Sequence, residues 1–90
     1  MRFQIEQRHL TDQSGRPVPS NDVSLVSFHL FEANDADQAI RLFIHRDGAD
    51  LVGDIVRFPG FQAVATVRKT TGVYTLQVGP TSQGMSAIVD

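Results

Sequence analysis

The chain has no cysteine in its 90 residues, so disulfides and cysteine-ligated metals are excluded. That composition suits a reducing compartment, and a cytoplasmic location is expected. It also lacks any long basic run, the longest being Arg68-Lys69, and the formal net charge is −2. Nucleic-acid binding, which rests on a basic stripe, is therefore not expected. No long apolar run occurs either. The start, Met1-Arg2-Phe3-Gln4-Ile5-Glu6, alternates in polarity and reads as neither a signal peptide nor a membrane span.

Chemical motifs are missing as well. The glycines form no phosphate-binding or dinucleotide fingerprint, and the serines no nucleophile elbow. His9, His29 and His45 share no i, i+4 or i, i+2 spacing that would make a ready two-point metal site. No cofactor or metal is expected, and a non-catalytic role is favoured over an enzyme.

What is present is an ordinary globular composition, 41% hydrophobic and 20% charged. Its length makes one domain, placed at residues 1–79, followed by a flexible tail at 80–90. Charge is uneven along the chain. Residues 23–50 carry five acids against Arg41 and Arg46, whereas residues 51–80 carry Arg57, Arg68 and Lys69 against Asp54. Such a dipolar split can guide association.

Polarity patterns place the elements. Residues 2–8 alternate with Phe3 and Ile5 on one side, a strand signal. A polar stretch with two prolines, residues 11–22, reads as a mobile loop. Residues 23–32 form a second strand, with Val26, Phe28 and Leu30 on its more apolar face and Leu25, Ser27, His29 and Phe31 on the other. Ala36, Ala39, Ile40, Phe43 and Ile44 recur at helical spacing. Asp35 and Gln38 stand at capping-box positions and Gly48 suits the terminator, so a helix is expected near 36–47. Residues 51–78 read as a three-stranded meander turning at Pro59-Gly60 and at Lys69–Gly72. Residues 86–89 offer a weaker candidate for one more edge strand. The expected fold is α+β, in the order β-β-α-β-β-β, a mostly antiparallel sheet with one helix on one face.

Counting from both turns predicts an inner face of Val52, Val56, Phe58, Phe61, Ala63, Ala65, Val67, Tyr74, Leu76 and Val78. This rests on Phe58 opposing Phe61 and Arg68 opposing Val73. Leu51, Ile55, Val64 and Val73, joined by Leu25 and Phe31, then fall on the side that a single helix leaves bare. Six apolar positions there suggest an interface, most simply a two-fold homodimer, with another protein partner as a variant. Two milder readings compete with it: scattered surface β-formers, or a tail folded over the patch. The alternative function is a small-ligand or anion-binding domain, or a minor enzyme, using His29, Arg57 and Arg68, all expected on that bare side. Asp54 breaks the alternation, and a bulge at Gly53-Asp54 would turn it outward.

Overall fold

The computed structural model describes residues 1–19 and 25–81. It contains five antiparallel strands in one sheet and one helix, in the expected chain order. The strands are β1 (Arg2–Asp12), β2 (Val26–Glu32), β3 (Asp50–Phe58), β4 (Gln62–Lys69) and β5 (Gly72–Pro80), and the helix is α1 (Ala36–Asp47). Across the sheet the order is β2-β1-β5-β4-β3. The crossover through α1 carries the chain from one margin of the sheet to the other. Residues 86–89 lie outside the described residues, as does the tail from residue 82.

α1 forms where its caps dictate. The Asp35 carboxylate accepts from the Gln38 backbone N–H at 2.8 Å, and Gly48 closes the helix in the left-handed conformation. Ala36, Ala39, Ile40 and Phe43 are buried against the sheet. Their partners are Phe3 and Ile5 on β1, Leu76 and Val78 on β5, Ala63, Ala65 and Val67 on β4, and Ile55 on β3. Small alanines on both α1 and β4 permit close approach of helix and sheet. Each large side chain buried here, Phe43 or Leu76, contributes about 1.5–3 kcal/mol.

The second hairpin has the predicted register: Arg68 faces Val73, Val67 faces Tyr74 and Ala65 faces Leu76. The first does not. Phe58 opposes Gln62, not Phe61, because the loop holds three residues and both Gly60 and Phe61 take positive φ. One extra loop residue inverts every side chain on the strand that precedes it. Ile55 is therefore buried at 8% exposure, while Val52, Val56 and Phe58 lie on the bare side. Leu51 opposes Val67 and also turns toward the helix side.

The expected irregularity at Gly53-Asp54 is present and is larger than one residue. Between the pairs Val52–Thr66 and Val56–Val64, β3 advances four positions while β4 advances two. Gly53 has φ +75°, and Asp54 is exposed.

β2 is also inverted relative to expectation. Phe31 pairs with Phe3 and His29 with Ile5, so Phe31, His29 and Ser27 share the helix side. Phe31 packs against the core, and Phe28, at 60% exposure, and Leu30 project from the other face. Both faces of this strand carry apolar residues, and the pairing with β1 decides between them.

Candidate functional site

Cross-strand pairing arranges the face opposite α1, bare of any other described element, in rows of five. One row reads Phe28–Glu6–Gln77–Val64–Val56 and the next Val26–Arg8–Thr75–Thr66–Val52. Both rows are apolar at their ends; the second is polar through its middle, whereas in the first the polar pair Glu6–Gln77 is followed by Val64. Leu30 and Phe58 extend the two apolar margins, and Glu6 pairs with Arg8 at 3.1 Å within the polar band.

Of the six residues predicted to line this surface, Val64 and Val73 lie on the bare face, both half-buried. Leu51, Ile55 and Phe31 belong to the helix side instead, for the register reasons given above. Leu25 immediately precedes β2 and is half-buried. The residues that replace them are Phe28, Leu30, Val52, Val56 and Phe58. Their exposure had one signal in the sequence. β3 carries Val52, Val56 and Phe58 on its even positions and Leu51 and Ile55 on its odd ones, so either side was available to the core.

The helix side carries a polar network where α1 ends. Arg46 donates through Nε to Asp47 Oδ1 at 2.7 Å and through Nη2 to His29 Nδ1 at 3.0 Å. Lys69 Nζ donates to the other Asp47 oxygen at 2.7 Å. Its ammonium lies 5.0 Å from the Phe43 ring centre and 4.9 Å from that of Tyr74. The Arg46 guanidinium sits 5.1 Å from Phe31 and 5.3 Å from Phe43. Hydrogen bonds from Arg46, then from Lys69, hold the Asp47 carboxyl down at a pKa of about 2.

A guanidinium has donors only, so His29 must accept at Nδ1 and carry its proton on Nε2. That N–H donates to Ser27 Oγ at 3.0 Å, which also accepts from Gln7 Nε2 at 2.9 Å. Burial, and then the positive charge of Arg46, push the His29 pKa below its ordinary value. With its one lone pair engaged by Arg46, His29 is poorly placed to act as a base. Beyond it, His9 stacks on Tyr74 at 4.3 Å, and the Tyr74 hydroxyl meets Thr71 Oγ1 at 2.6 Å. Gln7 Oε1 and His9 Nε2 are buried without a hydrogen-bond partner among the described residues.

The ligand-binding trio is not assembled. His29 is on the helix side of β2. Arg57 is on the helix side of β3 at the far margin, because the same loop residue that buries Ile55 turns it there. Arg68 is on the bare side of β4. Arg57 is also engaged, donating through Nε to Asp37 Oδ1 at 3.0 Å and through Nη2 to Asp37 Oδ2. This pairing raises the Arg57 pKa and leaves the shallow cleft between α1 and the first hairpin without an unpaired cation among the described residues. Among the described residues no group of three or more histidine, aspartate or glutamate side chains is placed to hold a metal. Among the described residues no helix is long and apolar enough to cross a membrane.

Lys69 was legible as a helix-side residue, since it continues the alternate series Ala63, Ala65, Val67. The convergence of Arg46, Asp47 and His29 was not, because it depends on where α1 crosses the sheet. Comparison with protein-family models, curated proteins and solved structures finds no match to this chain.

Proposed function

We propose that this protein is a non-catalytic interaction module that forms a two-fold homodimer through the bare face of its sheet, in the cytoplasm. The observation that carries this reading is the symmetry of the face about β5. β5 is the middle strand of five, and apolar stripes flank it at equal distance on both margins. A two-fold axis along β5 lays β2 over the partner's β3, and β1 over its β4. Phe28 then meets Val56 of the second copy, Val26 meets Val52, and Arg8 meets Thr66. Gln77 meets its own equivalent, and no like charges are opposed. The right-handed twist of each sheet offsets the strands by about 30° in such packing.

In this packing the apolar residues of the two margins would supply burial and the polar band between them register. A chain this short gains stability from association. Sedimentation equilibrium is expected to show a dimer at micromolar concentration. Val56→Asp and Phe28→Asp are each expected to give a folded monomer, judged by an unchanged far-ultraviolet circular dichroism spectrum. A wild-type protein that stays monomeric at several hundred micromolar overturns the proposal.

A further inference from the structure

The two margins of the sheet differ in their main chain. β3 is interrupted by its two-residue excess at Gly53-Asp54, and Asp50 and Asp54 stand exposed along it. Irregularity and charge of this kind block the addition of another strand. β2 runs for seven residues, Val26–Glu32, in unbroken register with β1 and without proline or lysine.

The direction of its hydrogen-bonding groups follows from two flanking bonds. Ala33 N–H donates to Met1 O at 2.9 Å, and Thr81 N–H donates to Arg2 O at 3.0 Å. Odd residues of β1 thus bond toward β2, and even ones toward β5. On β2 the partners of those odd residues are Ser27, His29 and Phe31. The N–H and C=O groups of Val26, Phe28, Leu30 and Glu32 therefore point away from the sheet, where no described strand pairs with them.

We infer that this edge binds an extended peptide segment of a partner protein by strand addition, and that the segment is acidic on alternate residues. An added strand would set one series of side chains beside Phe28 and Leu30 on the bare face. Its other series would lie beside His29 and Phe31, within reach of Arg46. That guanidinium is half-exposed, and its Nη1 has no hydrogen-bond partner among the described residues. A carboxylate is the complementary group there. The same charge argues against a second copy as the occupant. Two β2 strands paired antiparallel about His29 would oppose His29 to His29 and crowd two Arg46 guanidiniums onto one side. The inference does not rest on the proposed dimer, which uses side chains of the face and leaves these main-chain groups unpaired.

The test uses two capped synthetic heptapeptides, one alternating valine with glutamate, the other valine with lysine. Each is titrated into the full chain by isothermal calorimetry, with amide hydrogen exchange read by NMR. The glutamate peptide is expected to bind at least about tenfold more tightly than the lysine peptide, and Arg46→Gln to remove that difference. The amides of Phe28 and Leu30 become protected, while those of Ser27 and His29 are protected already in the free protein. Leu30→Pro deletes an outward N–H at an edge position where proline is tolerated, and is expected to abolish binding. A glutamate peptide N-methylated at every residue, which removes the donors of both its edges, tests the same point on an unaltered protein and is expected not to bind. Equal affinity for both peptides, no binding at millimolar concentration, or undiminished binding of the methylated peptide overturns the inference. A Val56→Asp monomer that still binds separates this result from the fate of the dimer.

Discussion

Ile55 and Val56 are neighbours on one strand and differ by a single methylene, yet they live in different environments. Ile55 belongs to the core beneath α1, whereas Val56 is 52% exposed on the opposite face. The same division runs through β2, where Phe31 packs against the core and Phe28 does not. The helix side is closed by an aromatic core and a network of charged groups in contact with one another. The opposite side keeps its exposed apolar residues at two margins, with a mainly polar band between them that holds the half-buried Val64 and Val73. Hydrophobicity alone thus does not assign a residue to the core. The register of the sheet does, and a single extra residue in a loop reverses it.

That contrast is most severely tested at Gly72, under the helix-side rim. Its φ is +138°, and a Cβ there would lie 2.0 Å from Thr11 O and 2.7 Å from His9 Nε2. Gly72→Ala is expected to cost at least about 3 kcal/mol, measured by urea unfolding, through strain and loss of the β1–β5 pairing. Next comes the pair of neighbours themselves. Ile55→Ala is expected to lose about 2–3 kcal/mol, whereas Val56→Ala in monomeric protein should change stability by about 0.5 kcal/mol or less. Equal costs at the two positions would mean that the assignment of faces is wrong.

The charged rim of the helix side gives smaller effects. Lys69→Met leaves Asp47 with Arg46 alone and is expected to cost about 1–3 kcal/mol at neutral pH. Because the Asp47 pKa is depressed to about 2 from 3.8, its contribution is present above roughly pH 4. It is lost as the pH falls toward 2, and a pH series of unfolding curves should show the difference between wild type and Lys69→Met shrinking over that interval.

His29 gives the smallest signal, at higher pH. Its folded pKa lies below the ordinary 6.5, so the unfolded chain takes up the proton first. Stability is complete above pH 6.5 and declines as the solution is acidified, because protonated Nδ1 can no longer accept from Arg46. His29→Gln removes the titration. The gap in melting temperature between wild type and this variant should narrow from pH 7.5 to pH 5. A gap that stays constant would show that His29 does not hold Arg46 in the way the geometry implies.

Parts of the architecture could be read directly from the chain. α1 occupies the predicted residues because its signals are local: a cap at Asp35, a stripe from Ala36 to Phe43, a terminator at Gly48. The second hairpin was equally legible, since the apolar residues of β4 and β5 favour one face. β3 and β2 were not, for they carry apolar side chains on both faces and their patterns are consistent with either orientation. The residues gathered around Asp47 were invisible for a different reason. They come from β2, α1 and β4, and no spacing along the chain foretells their meeting.

By itself, then, the sequence determined the element types, their order and the exclusion of cysteine chemistry, because these follow from composition and short-range periodicity. Tertiary structure decided which face each margin strand presents, which cations share a carboxylate, and where unpaired main chain is left at an edge. Those outcomes depend on loop length and on the path of one helix across the sheet, which are properties of the assembled chain and not of any segment.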